Sequence, residues 1–399
     1  MRKPALREPA LREVGLREVG LREAVAGTAD MIYTAGNAIA LSEDTPMRLH
    51  VLPADGIGPE ITEAAIAVLD AADRKFGLKL AYEYDEVGLS SLKKHGTTMR
   101  EDVFQKSKTL DGVILGTQSH MDYPPAAQGG RNISAAYRVG YDLFANVRPA
   151  RTRAFLGRGA PGMDLVIMRE ATEGFYSDRN MHAGTGEFMP TPDMAMAVRK
   201  ITANASERIV RRAFTVASKR RKKVTAAHKA NCFHLSCGLF LREARKVAKD
   251  FPDVAYDEVI VDAMAALLVR QPQTYDVIVT TNLFADILSD LASELSGSLG
   301  LAGSTNESDT YCCAQAQHGS APDIAGKNIA NPTSMILSIA MLCDWLGTKH
   351  ARPEFNKAAI AMDTAIDTVL TDPKSRTRDL GGTMDTKTFA KLVAEAVTR

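Results

Sequence analysis

The sequence predicts an α/β protein with a largely parallel core sheet. Short apolar runs of strand length recur along the chain, among them LHVLPAD, DGVILGT, DLVIM, DEVIVD and YDVIVTT. Longer stretches with apolar residues at helical spacing stand between them. From Arg48 onward the two kinds alternate, which is the βα order that builds parallel sheets. No apolar run approaches the roughly 20 residues that a membrane span requires, so no membrane association is expected.

Taken in order, the chain opens on an oddity. Residues 4 to 24 read PALREPALREVGLREVGLREA, with Leu6, Leu11, Leu16 and Leu21 recurring every five residues. A helix turns about 100° per residue, so this step builds no continuous stripe, and Pro9, Gly15 and Gly20 weaken a helix further. The segment lacks the apolar centre of a secretory signal. Its Arg-Glu pairs are unlike an acid-poor mitochondrial presequence. Residues 1–46 are therefore expected to be a disordered or repeat-like extension outside the fold, and a cytoplasmic setting is expected for the whole.

LHVLPAD is then read as a strand. EITEAAIAVLDAADRKFG is read as a helix that gathers Ile61, Ala64, Ala65, Val68 and Leu69 on one side. DGVILGT and DLVIM are further strands, and SERIVRRAFTVASKR is a helix. The basic run Lys219–Lys223 at its end suits the helix dipole and is expected to be a solvated face, not a polyanion patch. VTAAHKAN, DEVIVD and YDVIVTT complete the strands.

Composition agrees with this plan. The chain has 399 residues, 45% apolar and 24% charged, with a net charge of +1. These are values of an ordinary soluble protein, with no electrostatic bias toward nucleic acid. Its five cysteines show no C-x-x-C spacing and are expected to be idle thiols in a reducing compartment.

Several residues carry chemistry by type and position. ADGIGPE offers Gly56 and Gly58 but no G-x-G-x-x-G, so an ordinary Rossmann dinucleotide site is not supported. Arg138, Arg148 and Arg169 stand in strand or turn contexts, where an arginine can grip a carboxylate with two bonds. In FADILSDLASEL, Asp286 and Asp290 are spaced i, i+4 on one helix face, an arrangement that a divalent cation relieves. Asp262 opens another helix and can complete such a set. Lys229 in HKAN is a candidate base and Tyr176 a candidate proton donor. Taken alone, an arginine here is more simply a surface ion pair, and the aspartates are more simply solvated acids or caps.

Together, LPADGIGPE, DLFANVRPAR, REATEGFY, HKAN, VDAMA, TTNLFADILSDLASELSGSLGLAGS and HGSAPDIAGKNIANPTSMILS resemble the isocitrate and isopropylmalate dehydrogenase family, the β-decarboxylating dehydrogenases. The match runs in order from about Arg48 to Gly347. The resemblance implies a two-lobe, non-Rossmann α/β fold with the active site in the cleft. Residues 47–145 and 297–399 would form the larger lobe. Residues 146–296 would form the smaller one, with the dimer interface and an arm near SDRNMHAGTGEFMPTPDM. It implies that Arg138, Arg148 and Arg169 clamp substrate carboxylates. Tyr176 and Lys229 would be the acid/base pair, and Asp262, Asp286 and Asp290 would hold Mg²⁺ or Mn²⁺. Lys229 and Asp262 would reach into the partner subunit of a homodimer, possibly of a tetramer. Asn231 would lie near the nicotinamide. The loop of His318, Gly319, Ser320, Ala321, Asp323 and Ile324, with Asn331 beyond, would hold the adenosine. An acid at Asp323 suits both ribose hydroxyls and repels a 2′-phosphate, which favours NAD.

The implied reaction is oxidative decarboxylation of a (2R)-malate-type 2-hydroxy acid, isocitrate- or 3-isopropylmalate-like. Family members differ at the C3 substituent. Ser134 stands where isopropylmalate enzymes place an apolar side chain, and Asn132 with Ser134 gives the isocitrate pair of residue types in reversed order. A polar substituent is favoured. Homoisocitrate, D-malate and tartrate are the alternatives, and a catalytically silent regulatory subunit is an alternative of another class. Arg131 and Gln315 depart from the acids common in relatives.

Overall fold

The computed structural model of the protein describes residues 45–399. The leucine repeat expected to form an extension lies outside the described residues. The chain opens with the buried strand β1 (Met47–Leu52), turns through Gly56 and enters α1 (Gly58–Phe76). Pro59 occupies the first turn of α1, where a missing N–H breaks no helical bond. Gly77 ends the helix at φ 67°, a left-handed backbone that glycine adopts without a Cβ clash. Next come β2 (Leu80–Tyr84), α2 (Leu89–His95), α3 (Glu101–Lys106), β3 (Gly112–Leu115) and α4 (Ile133–Gly140). The antiparallel strands β4 (Ala145–Arg151) and β5 (Asp164–Glu170) follow, and then a hairpin of β6 (Glu187–Thr191) and β7 (Met194–Ala197). The alternation resumes with α5 (Ala203–Ser218), β8 (Lys223–His228), α6 (Ser236–Ala248), β9 (Ala255–Ile260), α7 (Val261–Arg270), β10 (Val277–Thr280) and α8 (Asn282–Leu295). The chain closes with β11 (Thr305–Glu307), β12 (Cys312–Gln315), α9 (Thr333–His350), α10 (Pro353–Thr371) and α11 (Thr386–Thr398).

Ten strands form one sheet in the order β2-β1-β3-β12-β11-β4-β5-β10-β8-β9. Its two outer portions are parallel, as the βα alternation predicts. The centre is not: β12, β11, β4 and β5 run antiparallel in turn. The chain thus builds a mixed sheet whose hand of pairing changes in the middle, and the functional side chains collect there.

The inner strands β3, β5 and β10 are buried on both faces, which is why they read as continuous apolar runs and not as alternating ones. Along β5, Leu165 and Ile167 join a cluster with Met264 and Leu288, while Val166 and Met168 join another with Phe214, Phe240 and Val279. At the other end of the sheet, α1, α9, α10 and α11 pack Leu69, Ile339, Phe355 and Phe389 together. On that half's second face, Leu52, Val113 and Leu115 meet Phe104 and Tyr137.

The basic run after α5 is the solvated face expected of it at Lys219, Arg221 and Lys222, which are exposed, while Arg220 and Lys223 are half-buried. Arg220 Nε donates to buried Asp276 at 2.8 Å and its Nη2 to Asp164 at 2.8 Å. Arg221 donates to the carbonyls of Asp164 and Tyr275. Asp164 at the start of β5 and the buried Asp276 before β10 anchor Arg220 at the edge of that face. All five cysteines are free; four are buried and Cys232 is exposed. Among the described residues no helix is long and apolar enough to cross a membrane.

Candidate active site

Strand register explains how two arginines come to share one place. In the antiparallel β4/β5 pair, Asn146 faces Arg169 and Arg148 faces Ile167. Side chains alternate, so Asn146, Arg148, Ile167 and Arg169 all project from the same face of the sheet, the face covered by α8. A slip of one residue in this pairing would put the two guanidiniums on opposite faces.

The buried Arg169 makes three bonds. Its Nε donates to Asn282 Oδ1 at 2.8 Å, its Nη2 to the Tyr176 hydroxyl at 2.8 Å, and its Nη1 to Asp286. The Tyr176 hydroxyl in turn donates to Asp286 Oδ2 at 2.7 Å. The guanidiniums of Arg169 and Arg179 lie 5.4 and 5.0 Å from the Tyr176 ring centre, in cation–π range. Burial raises the pKa of Tyr176; Arg169 opposes that rise and Asp286 adds to it, so the hydroxyl keeps its proton. Burial also pushes Asp286 upward, but Arg169, Arg148 and the Tyr176 hydroxyl more than offset this and hold it below the usual carboxylate range.

Arg148 joins the two acids of α8. Its Nη1 lies 3.3 Å from both Asp286 Oδ1 and Asp290 Oδ1 and donates to Ser289 Oγ at 2.6 Å, while its Nε donates to Asn146. Burial and then the neighbouring Arg169 push the Arg148 pKa down to about 10. Arg138, on α4, is likewise lowered by burial and by Arg169, Arg148 and Arg179. It donates through Nε to Asn306 Oδ1 at 2.8 Å. Crowded guanidiniums around so few carboxylates make a place for a polyanion.

These side chains line a cavity of about 270 Å³. Of the residues predicted for the site, Asn132, Ser134, Arg138, Arg148, Arg169, Tyr176, Asp286, His318 and Gly319 line it together. Asn132 also has a structural task, since its side chain caps α4 by accepting from the Ala135 N–H at 3.0 Å. Asp290 is tied to the same group through Arg148 and Gln317. Asp286 and Asp290 thus converge on one cationic atom, and two carboxylate donors so placed fit a hard divalent cation.

Lys229 and Asp262 are not brought to this cavity within the chain. Lys229, just past β8, pairs with the exposed Asp262 on the first turn of α7. The bond from Asp262 raises the Lys229 pKa. Asn231, exposed, follows close behind. Among the described residues no three Asp, Glu, His or Cys side chains converge on a metal-sized site.

The loop from His318 docks onto the β1–α1 turn. The Ile57 N–H donates to the Ser320 carbonyl at 2.8 Å, and Ser119 Oγ donates to Ser320 Oγ at 2.8 Å. Gly56, at φ 59°, is required here: a Cβ would overlap the Ser320 carbonyl oxygen. Ala321 has a left-handed backbone, φ 38°. Asp323 is exposed, and Ile324 packs partly onto the α1/α9 core. Asn331 has both ends of its amide engaged, donating to Asp379 and accepting from the Thr333 N–H.

Gln118, His120, Arg179, Ser304 and Gln317 also line the cavity, and the sequence reading passed over them. Arg179 had a signal, standing three residues after Tyr176. Gln118, in a loop after β3, had none.

Comparison with known proteins fits this arrangement. The isocitrate/isopropylmalate dehydrogenase family model matches residues 48–397. The chain is 43% identical over 352 residues to an isocitrate/homoisocitrate dehydrogenase of Thermus thermophilus, covering 88% of this chain and 98% of that protein. It is 38% identical over 348 residues to a 3-isopropylmalate dehydrogenase of Archaeoglobus fulgidus, covering 87% of this chain and 98% of that one. Its fold is similar to the crystal structure of isocitrate dehydrogenase from Methylococcus capsulatus, with a TM-score of 0.77 and 36% identity, over 88% of this chain and 99% of the other.

Proposed function

Because the chain belongs to the isocitrate/isopropylmalate dehydrogenase family, and is thus a decarboxylating hydroxy-acid dehydrogenase, we propose that it oxidises a (2R)-malate-type acid with a polar C3 substituent, using NAD and Mg²⁺ or Mn²⁺. The observation that carries this reading is the cavity in which Arg138, Arg148 and Arg169 surround the Tyr176–Asp286 pair.

In this reading the three arginines hold the substrate carboxylates, and the crowding of their charges is relieved by the dianion. Tyr176, kept protonated by burial, delivers a proton to the carbon that loses carbon dioxide. Asp286 and Asp290 hold the divalent cation, which supplies positive charge that acidifies the substrate hydroxyl and stabilises the negative charge left by decarboxylation. Asp323 accepts from the ribose hydroxyls of NAD. The loop from His318 and Gly319 onward holds the adenosine, and Asn231 lies near the nicotinamide. Residues 47–145 with 297–399, and residues 146–296, act as two lobes closing over the cleft and excluding water. The separate hydrophobic clusters of the two sheet halves support this division.

Lys229 is the base and Asp262 the third acid, both given to the site of a second copy. Two observations support a homodimer. Lys229 and Asp262 are paired with one another away from the cavity lining. The hairpin β6/β7 holds Phe188, Met189, Met194 and Met196 exposed, an apolar surface that a partner can cover. Release of Asp262 from Lys229 removes the bond that raises the lysine pKa and so fits it for taking a proton. Five free thiols support a reducing, cytoplasmic setting.

The cavity also bears on the substituent. Ser134, Gln118, Gln315 and His120 line it with no large apolar side chain among them, which suits a polar arm better than an isopropyl group. The test is NADH formation with Mn²⁺ from isocitrate, homoisocitrate, 3-isopropylmalate, D-malate and tartrate, with NADP as control. Preference for a carboxylated acid with NAD is expected. Turnover of none of these acids would refute the reading, and preference for 3-isopropylmalate would refute the polar substituent.

A further inference from the structure

Arg138 sets the direction of a chain of side-chain hydrogen bonds that ends in the cavity. A guanidinium can only donate. Its Nε donates to Asn306 Oδ1 at 2.8 Å, so Asn306 presents its Nδ2 to Gln315 Oε1, 3.4 Å away. Gln315 Nε2 then donates to Ser134 Oγ at 2.9 Å. The serine has one hydrogen to pass on. Gln118 Oε1 at 3.1 Å and Gln315 Oε1 at 3.2 Å are both within its reach.

The far end of the chain is fixed by the backbone. The N–H of Ser134 donates to Gln118 Oε1, at 3.2 Å. A peptide nitrogen cannot accept, so the Gln118 amide cannot be turned over. His120 Nε2, 2.6 Å from the same oxygen, adds another donor. Gln118 is thus held with its oxygen fully engaged and its Nε2 left over. That nitrogen is buried and has no hydrogen-bond partner among the described residues. Gln118 is 7% exposed and lines the cavity beside Ser134. A buried amide donor without an acceptor is unfavourable by itself, and an oxygen atom in the cavity satisfies it.

We propose that Gln118 is a specificity-determining residue whose Nε2 donates to an oxygen acceptor on the C3 arm of the substrate, so that acids with a carboxylated arm are selected over acids with an alkyl arm. This rests on the reading of the cavity as a site for malate-type acids. The donor character of Gln118 is imposed by the Ser134 backbone N–H, which can only meet the amide oxygen.

Two variants separate donor from shape. Gln118→Met keeps the length and removes the donor. Gln118→Glu keeps an oxygen toward Ser134 and His120 but replaces the donor with a negative charge. Wild type and variants are compared by kcat/KM with NAD and Mn²⁺ on isocitrate, homoisocitrate and 3-isopropylmalate. Calorimetric affinities for the same acids are measured alongside. The expected result is a fall of roughly 10- to 100-fold in the ratio of carboxylated to alkyl acid, the scale of one hydrogen bond to a charged group. The loss should be greater for Gln118→Glu, and carried by KM and affinity more than by kcat. An unchanged ratio in Gln118→Glu, or an equal loss on both kinds of acid, overturns the proposal. If Gln118→Met does not fold, Gln118→Glu decides. A wild type that neither oxidises nor binds any of these acids overturns the underlying reading as well. A wild type that uses them while the variants keep its ratio overturns the role of Gln118 alone.

Discussion

Replacing Arg169 by lysine tests whether the site depends on the shape of a guanidinium or only on its charge. The Arg169 side chain is 2% exposed and reaches Asn282, Tyr176 and Asp286 with three separate nitrogens. A lysine ammonium is a single point and can follow only the strongest of these, Asp286. Asn282 cannot compensate by rotating its amide, because its Nδ2 already donates to the Glu173 carbonyl at 2.8 Å. Its Oδ1 is then left buried without a donor, a loss of about 1–3 kcal/mol. The Tyr176 hydroxyl loses a further charge-assisted bond, of the order of 1 kcal/mol. The expected loss of stability is therefore about 2–4 kcal/mol, read as a lower urea midpoint with an unchanged slope. With the Tyr176 hydroxyl held by Asp286 alone, kcat/KM should fall at least about tenfold. An unfolding free energy within about 0.5 kcal/mol of wild type, together with an unaltered kcat/KM, would refute the claim that three-point bonding matters.

Three other outcomes are expected. Burial pushes the Glu173 carboxyl up to about 7 from an ordinary 4.5. Between those values the folded protein holds more protons than the unfolded chain, so this group's contribution to stability falls as pH rises. Glu173→Gln should flatten the decline between pH 5 and 8 by up to about 3 kcal/mol, and parallel urea curves for both proteins across that range would count against it. Lys229→Met and Asp286→Asn should each be inactive alone, but subunits mixed and reassorted should recover about a quarter of wild-type activity, because half the dimers then contain one intact site; no recovery after verified exchange would sink the shared site. Gly56→Ala should raise the KM for NAD roughly tenfold, about 1.4 kcal/mol, by driving the Ser320 loop off the β1–α1 turn, and an unchanged KM would show that the loop's docking does not govern the cofactor.

Much of this architecture could be read from residue order alone, for reasons that differ by element. β5 and β10 were legible because strands covered on both faces are continuous apolar runs. Asp286 and Asp290 were legible because helical geometry makes an i, i+4 pair neighbours wherever the helix lies. Arg148 and Arg169 were found individually, but their meeting depends on an antiparallel register that local patterning does not encode. Gln118 was illegible for a related reason. Nothing about a glutamine in a loop reveals that the backbone N–H of Ser134 dictates which end of its amide is free. The inward turn of Arg220 was missed because its partner Asp276 lies 56 residues away, and a cluster of cations looks solvent-facing until such a partner is known.

The pairing of Arg148 and Arg169 on adjoining strands has a mechanical side. Two like charges held side by side push against the pairing of β4 with β5, beside the seam where the halves of the sheet meet. Any dianion that bridges them turns this repulsion into a brace, whether or not it can react. Heat tolerance should therefore track which acids fit the clamp, and an inert dicarboxylate should stiffen the molecule about as well as a substrate does.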